Sequence, residues 1–404
     1  MVDRHTSLQV AVIGAGIVGS CIALALQKRG AEVTLIDRDE PGQGCSYGNS
    51  GAISTGSVAP LAMPGILSSL PGMLLDDKGP LYLPWSYLPR ALPWLLRFVA
   101  SATPASVARS SEQLAKLHAG AIERHEALCR EVGVADLFMR RGHLHLYPDE
   151  TALAKDAAVW QLREQHGFRF DRLDRAGILA LEPRVARRYQ FGVFMADQAT
   201  ILNPYRYVQA IVAAFASRGG RVQRADIGSL SPAADGRWRV ASASAAISDS
   251  NFAHAVVAAG AWSRRLLDPL GIRRALESQR GYHVQFEGAR DVVSRTVVLT
   301  DRKVFVTPME EGLRVGGTVE IGGLARPPDK RRADLLQRIA SETFEGLEGL
   351  AASQWMGHRP CMPDSLPVVG AALGRRGLWL AVGHGHLGLT DSVNTAERIA
   401  EAMF

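Results

Sequence analysis

The chain has 404 residues, of which 47% are hydrophobic and 21% charged, and its formal net charge is +6. These values are ordinary for a globular protein, and the length allows a large buried core in one or two domains. No basic run interleaved with aromatic residues occurs, so we expect no nucleic-acid partner. The four cysteines lie far apart and form no CxxC pair, which indicates reduced thiols in a cytoplasmic protein.

The first unit of the chain reads as strand, glycine turn, helix and strand. An apolar run leads into the motif GAGIVG at 14–19, a helical segment follows, and a second apolar run ends at Asp37. In such a unit Gly14 permits the tight turn, Gly16 lets a pyrophosphate approach the backbone, and Gly19 lets the helix pack on the strand. Asp37 can accept hydrogen bonds from an adenosine ribose. The unit therefore predicts a dinucleotide site, without separating NAD from FAD.

The next part of the chain combines a small-residue loop with helical and strand patterns. Residues 41–60 are rich in glycine and serine, so their backbone could approach a flat ligand. Residues 111–131 predict a single amphipathic helix. His143 and His145 point to the same side of a predicted strand at 141–147. Since no third ligand is in view, we expect structural histidines and predict no metal site.

The second half of the chain alternates between helices and strands. We predict a helix at 203–218, strands at 221–227 and 254–259, alternating strands at 282–286, 297–299, 304–307 and 313–316, a strand at 378–382 and a terminal helix at 390–404. The alternating strands between 273 and 353 indicate an antiparallel sheet that covers a site.

Four separated segments, taken together, resemble one family. They are the GAGIVG unit, SYGNSGAI at 46–53, HRPCMPDSLPVVG at 358–370 and GHGHLGLT at 383–390, accompanied by Gly281-Tyr282. They resemble the FAD-dependent amine and amino-acid oxidoreductases, the superfamily of glycine oxidase, sarcosine oxidase and D-amino acid oxidase. Within it the chain is most similar to the small subunit of bacterial D-amino acid dehydrogenase. It departs from that group at Ser50, Arg280 and Ser365. These differences leave the identity of the substrate undetermined, but they do not change the expected type of reaction.

The resemblance and the element order together predict an α/β fold of two domains. A Rossmann-like FAD-binding domain would comprise 1–60, 197–272 and 354–404. A second, α+β substrate domain, built on an antiparallel sheet, would comprise 61–196 and 273–353.

Three side chains are predicted to act on the substrate. Arg359 lies among prolines, so we expect it on a rigid turn between the sheets, where its fork would bind a substrate carboxylate. Tyr282 would close over the substrate or donate to the same carboxylate, unless it is a core tyrosine. His386 would project into the substrate pocket or face solvent.

The resemblance implies FAD held without a covalent bond, because the cysteine that binds flavin covalently in some relatives would align near Gly357. The start of the terminal helix would present N–H groups to the flavin's pyrimidine edge. The predicted cofactor contacts are Gly14, Gly16, Ile17, Val18, Gly19, Asp37, Arg38, Ser46, Asn49, Gly51, Ala52, Ile53, Ile227, Ala259, Gly260, Trp262, Gly357, Gly385, Leu387, Gly388, Leu389 and Thr390.

The expected reaction is oxidation of an α-amino acid, first of all a D-amino acid. Hydride would pass from the α-carbon to flavin, and water would hydrolyse the imino acid to a 2-oxo acid and ammonia. The electrons would then pass to a quinone or another non-oxygen acceptor. Residues 81–100, with three prolines and two arginines, cannot form a spanning helix, but they could dip into the lipid interface at the inner face of the membrane. A buried helix of the substrate domain is the other interpretation.

Three alternatives stay open from the sequence. The substrate could be a secondary amino acid, such as proline, D-hydroxyproline, sarcosine or an opine, and the chain could then be a subunit of a larger complex. The chain could be an NAD-dependent dehydrogenase, although the loop at 46–53 and the GHGH loop argue against it. It could also be a flavin-binding relay subunit with no substrate of its own.

Overall fold

The computed structural model describes residues 8–65, 79, 81–242 and 250–404. The strands are β1 Gln9–Ile13, β2 Glu32–Asp37, β3 Ala52–Ile53, β4 Leu81–Tyr82, β5 Phe138–Met139, β6 His143–Tyr147, β7 Asp171–Leu173, β8 Phe191–Met195, β9 Ala199–Ile201, β10 Arg221–Arg224, β11 Ile227–Pro232, β12 Trp238–Ser242, β13 Asn251–Phe252, β14 His254–Val257, β15 Glu277–Glu287, β16 Thr296–Leu299, β17 Val304–Met309, β18 Gly312–Ile321, β19 Ala352–Cys361, β20 Val368–Ala371 and β21 Leu378–Val382. The helices are α1 Ile17–Lys28, α2 Leu88–Ala100, α3 Pro104–His118, α4 Ala121–Glu131, α5 Glu150–Lys155, α6 Ala157–Gln165, α7 Arg175–Leu181, α8 Pro204–Ser217, α9 Ser263–Leu267, α10 Lys330–Thr343 and α11 Gly388–Met403.

A six-stranded sheet in the order β10-β2-β1-β14-β21-β20 forms one half of the molecule. Its first five strands are parallel and β20 is antiparallel at the edge. Helices α1, α8 and α11 pack together on one face, and the meander β11-β12-β13 packs on the other. Because the central strands run parallel, the loops that follow them meet at one edge of the sheet. This confirms the Rossmann-like α/β fold.

The second half is a mostly antiparallel sheet of nine strands. Its path is β19-β15-β18-β17-β16-β6-β8-β7, with β4 paired beside β18. Helix α10 packs its apolar side on one face of this sheet and closes a second core. The opposite face stays open towards the first half. Strand β19 runs through residues 352–361, across the predicted boundary between 353 and 354, and the domain boundaries stay predictions.

The predicted helix at 111–131 is wrong as one element, because the chain forms α3 and α4 with a break between them. Gly120 at the break has a φ of +69°, a left-handed conformation that ends a right-handed helix. A helical period continued through this glycine in the sequence, so the break was not visible as a change of pattern.

The segment 81–100 is divided between β4, a short 3-10 turn and α2. Trp94 and Phe98 of α2 stack on each other in a small core, with ring centroids 5.1 Å apart. The other side of the segment is exposed: Trp85, Leu92 and Leu96 keep 71%, 47% and 62% of their surface. No helix in the described residues is long and apolar enough to cross a membrane.

An ion pair is completely buried within the second sheet. Arg280 of β15 and Glu320 of β18 are 2.8 Å apart with neither side chain exposed. Arg280 also donates to the backbone oxygens of Arg326 and Pro327, at 2.9 and 2.8 Å. Arg280 is therefore a structural arginine, whose two terminal nitrogens are both bonded within the fold.

We expect Arg280→Met to destabilise the protein by about 3 kcal/mol, because it leaves the Glu320 carboxylate buried without its main partner. A lower melting temperature in thermal unfolding would show it. The exposed Arg290 provides the control, and its Met variant should melt within about 1 °C of the parent. Equal melting of the two variants would contradict the structural role of the buried pair.

Candidate cofactor and substrate cavities

The turn between β1 and α1 and the first turn of α1 each have one position that accepts only glycine. Gly14 has a φ of +110°, and a Cβ there would lie 2.3 Å from the backbone oxygen of Ala258. A Cβ on Gly19 would lie 1.8 Å from the oxygen of Gly14. These contacts bring β1, α1 and the loop after β14 together, as a dinucleotide turn requires.

Two side chains hold the backbone of this turn. Ser46 Oγ accepts the N–H of Ile17 at 2.9 Å, at the start of α1. The carboxylate of Asp37 accepts the N–H of Ala15 at 2.6 Å and that of Asp39 at 3.1 Å. Burial raises the pKa of Asp37 above its ordinary value. Asp37 thus already supports the turn, and its predicted bond to a ribose stays a prediction.

A first cavity lies over the carboxyl ends of β1, β2 and β14. Arg38 covers the ring of Trp262 with its guanidinium carbon 3.9 Å from the ring centroid, and this pair forms one wall. Of the predicted cofactor contacts, this cavity is lined by Gly14, Gly16, Ile17, Val18, Asp37, Arg38, Ser46, Asn49, Ile227, Ala259, Gly260, Trp262, Gly385, Gly388 and Leu389.

A second, larger cavity of about 550 Å³ lies between this region and the open face of the nine-stranded sheet. Cys45, Asn49 and Gly385 line both cavities, so the two spaces adjoin. Of the predicted site residues, the second cavity is lined by Asn49, Ala52, Tyr282, Gly357, Arg359, Gly385, His386 and Leu387.

Four predicted cofactor contacts, Gly19, Gly51, Ile53 and Thr390, line neither cavity. They support the lining instead. Gly51 has a φ of +73° and lies against the oxygen of Ile201, and Thr390 Oγ1 accepts the N–H of Ser54 at 3.0 Å. A motif match does not distinguish a residue that lines a cavity from a residue that packs behind the cavity wall.

Arg359 lies within strand β19, so the prediction of a rigid turn is wrong. Pro360 is tolerated in the strand because β19 is at the edge of its sheet. The Arg359 guanidinium lies across Gly281, where a Cβ would be 2.1 Å from Cζ, and Nη1 donates to Thr318 O at 3.0 Å. Burial lowers the pKa of Arg359 below its ordinary value.

Tyr282 has its ring at the cavity wall but its hydroxyl bonded behind the wall. The hydroxyl donates to Glu320 and accepts the N–H of Asp329 at 3.0 Å. One of the two predicted roles requires the hydroxyl to donate to a substrate carboxylate. In this geometry the hydroxyl is not free to do so.

His386 projects into the second cavity, where its side chain keeps a large accessible surface although it lies deep in the molecule. Burial, together with the positive charge of Arg359, lowers its pKa to about 4. His386 is therefore a neutral imidazole near pH 7.

The loop before α11 is bonded directly to the strand that carries Arg359. Gly385 N–H donates to Pro360 O at 2.8 Å, and Cys361 forms a β-bridge with His384. The segment that carries Arg359 and the start of α11 are thus fixed to each other.

Sequence reasoning missed several residues of the cavities. His145 and Arg163 line the second cavity. Cys45 lines both cavities, and His358 lines the first. Only the paired histidines of β6 were noticed, and they were interpreted as structural. Arg163 is one arginine in a surface-like helical pattern, so no local signal could have found it.

Comparisons with known proteins show the family to which the chain belongs. A family described as FAD dependent oxidoreductase matches residues 9–402. A D-amino-acid oxidase of Bradyrhizobium diazoefficiens is 38% identical over 401 residues, which cover 98% of this chain and 94% of that protein. D-amino acid dehydrogenase 2 of Ralstonia nicotianae is 33% identical, over 98% and 96%. The structure of glycine oxidase from Geobacillus kaustophilus has a TM-score of 0.74 at 19% identity, and the match covers 98% of this chain and 95% of that one.

The chain therefore belongs to the family of FAD-dependent oxidoreductases. The described residues fit FAD: the glycine-only turn and the start of α1, where Gly16, Ile17 and Val18 line the first cavity, suit a pyrophosphate. The adjoining larger cavity has room for a flat ring system. The first cavity would hold the adenosine and the pyrophosphate. The predicted cofactor contacts that line the second cavity, among them Ala52 and Leu387, would surround the flavin.

A buried ion pair lies at the start of α11. His118 Nε2 is 3.2 Å from Asp391 Oδ1, and His118 Nδ1 is 3.0 Å from Thr55 O. Burial alone would lower the pKa of His118, but Asp391 and the Thr55 oxygen raise it above its ordinary value. The imidazolium and the positive end of the helix dipole both stabilise the buried Asp391 carboxylate in the first turn of the helix.

We expect Asp391→Asn to lower the pKa of His118 below its ordinary value, because burial then dominates. A pH titration followed by NMR of ¹⁵N-labelled histidine should show the His118 ring of the variant losing its proton at a lower pH than the ring of the parent does. The ring of His143, whose pKa burial lowers to about 4, should be neutral in both and serves as the control.

The same pair makes stability depend on pH. Since the pKa of His118 is raised in the folded state, its contribution is fully present below about pH 6.5 and is lost as the pH rises through the folded value. Identical pH dependence of melting in the parent and in Asp391→Asn would contradict the ion pair.

Proposed function

We propose that this protein oxidises D-amino acids to 2-oxo acids and ammonia. The observation that carries the proposal is the placement of Arg359. Its guanidinium is buried at the wall of the second cavity and bonds to a backbone oxygen, and it forms no ion pair with a carboxylate of the described residues. A buried cation of this kind calls for an anionic partner. The α-carboxylate of an amino acid is such a partner, and the names of the two relatives support this substrate class.

The two glycines opposite each other on β15 and β19 make the space for this recognition. Gly281 pairs in register with Gly357. A side chain on Gly281 would collide with the Arg359 guanidinium, and one on Gly357 would collide with the Trp355 ring. The sheet is thus flat beneath the arginine, so that a carboxylate can meet the fork with the α-carbon held at a fixed place.

The chemistry requires little more from the side chains than this orientation. Bound FAD supplies the acceptor for the hydride of the α-carbon. As the Cα–H bond breaks, the lone pair of the neutral amine forms the C=N bond, and water then hydrolyses the imino acid to the 2-oxo acid and ammonia. His386 is neutral in the cavity and adds no charge that would repel or trap the amine. A hydride transfer of this kind needs no strong general base.

The exposed side of the segment 85–97 supports a membrane-bound quinone as the electron acceptor. Trp85, Leu92 and Leu96 form an apolar stripe at helical spacing, and the exposed Arg90 and Arg97 flank it. On the inner side of the same helix, Trp94 and Phe98 line the second cavity. An apolar stripe beside cations suits the surface of an anionic bilayer. We propose peripheral binding there, close to the cavity from which the electrons leave.

We expect Arg359→Met to lower kcat/KM for D-amino acids at least about 100-fold while the protein still binds FAD, because the loss of a charged fork costs about 3 kcal/mol. Anaerobic bleaching of the flavin band by a panel of D-, L- and N-substituted amino acids measures this. The exposed Arg338→Met variant should match the parent. Full turnover in Arg359→Met would overturn the proposal, and bleaching by N-substituted substrates alone would move it to secondary amines.

We expect the double variant Leu92→Glu, Leu96→Glu to lose binding to anionic vesicles, because carboxylates replace the apolar stripe. Sedimentation with phosphatidylglycerol vesicles measures the bound fraction. Leu373, which is 92% exposed elsewhere on the surface, gives the matched control Leu373→Glu, which should sediment as the parent does. No sedimentation of the parent would exclude the membrane contact.

A further inference from the structure

The second cavity has a cationic end at β6 and α6, far from Arg359 along the sheet. Its lining there includes His145, Tyr147, Asp156, Arg163 and Lys303. The single carboxylate of this group is already bonded, since Tyr147 donates to Asp156 at 3.0 Å. Burial lowers the pKa of His145 well below its ordinary value, so this histidine is neutral. The charges of Arg163 and Lys303 therefore exceed the negative charge at this end.

Arg163 is held firmly with its charged end in the cavity. Its Nε donates to Gly56 O at 3.0 Å, and its guanidinium carbon lies 4.1 Å from the ring centroid of Trp160. Burial lowers the pKa of Arg163 to about 10, so the group stays charged at neutral pH. Its terminal nitrogens make no hydrogen bond within the described residues, and no described carboxylate forms an ion pair with it. Such a buried fork calls for an anion.

The strand order of the sheet gives an approximate span between the strands that lie near the two guanidiniums. The Arg359 guanidinium lies over β15 and bonds to Thr318 on β18. His145, whose ring contacts Trp160 edge-on at 5.1 Å, lies on β6. From β18 to β6 there are three strand steps, through β17 and β16, which is roughly 14 Å at about 4.8 Å per step.

A five-carbon dicarboxylate fits this span. Four carbon–carbon bonds of about 1.5 Å each place its carboxylate carbons roughly 5 Å apart. Each carboxylate adds about 4 Å to its arginine at a hydrogen-bond length of about 2.8 Å. The sum of roughly 13 Å is close to the roughly 14 Å between β18 and β6.

We propose that the substrate class is acidic amino acids of the size of D-glutamate, with Arg359 on the α-carboxylate and Arg163 on the side-chain carboxylate. This inference rests on the proposed function and deepens it. Arg163 then determines specificity: it binds the substrate at the end remote from the reacting carbon, in a pocket where a neutral side chain would leave the guanidinium without a partner.

Binding of unreactive acids to the FAD-loaded protein tests this without turnover. Calorimetry should give glutarate at least about tenfold tighter binding than pentanoate, which has the same five carbons and one carboxylate. Arg163→Met should remove that preference and leave pentanoate binding unchanged. Arg163→Lys should retain part of it, and the exposed Arg169→Met should retain all of it.

Each other outcome contradicts the inference. Equal affinity of the parent for glutarate and pentanoate overturns it even if no variant folds. A loss in Arg163→Met that is the same for both acids, or that appears as weaker FAD binding, makes Arg163 a general or a cofactor contact. Flavin bleaching by D-alanine or D-methionine but not by D-glutamate overturns the acidic substrate class and leaves the proposed function standing. Bleaching by no D-amino acid overturns both.

Discussion

The close contact of β1, α1 and the loop after β14 at Gly14 is the constraint on which the cofactor region depends. There the oxygen of Ala258 occupies the space that any side chain would need. Because this contact fixes the turn, the start of α1 faces the first cavity, and Ser46 and Asp37 bond the backbone around it. The parallel sheet then brings the loops after its other strands to the same edge. This one steric contact therefore fixes the backbone at the place where we expect a pyrophosphate to lie.

The substrate side is organised by buried cations instead of by steric contact. Arg359 and Arg163 both project from well-packed elements into the second cavity, and both donate to a backbone oxygen that fixes their orientation. By contrast, Arg280 is completely buried and has Glu320 and two backbone oxygens as partners. The comparison separates an arginine that stabilises the fold from arginines that have binding capacity left for a ligand.

Much of the fold and of the cofactor site could be predicted because their signals are local. The glycine turn, the strand at 378–382 and the terminal helix follow from motifs and from periods of 2 and 3.6. The predictions that were wrong, and the residues that were not predicted, concern features that depend on tertiary contacts. Arg359 was placed on a turn because prolines surround it, yet the edge position of β19 makes Pro360 acceptable in a strand. Arg163 could not be found, because the four strands that lie between β19 and β6 in the sheet order come from distant parts of the chain.

The bond from Gly385 to Pro360 has a consequence for how this enzyme could diversify. It ties the loop before α11, which we expect to contact FAD, to the strand that carries Arg359. Any shift of that strand to suit a new carboxylate would therefore also disturb the flavin loop, and selection should keep this end of the cavity unchanged. The other end, built by β6 and α6, has no such bond to the cofactor loop among the described residues. Substitutions that change which substrate side chain is accepted can accumulate there at little cost to cofactor binding. One end of the cavity would then keep the reaction constant while the other end changes the substrate range.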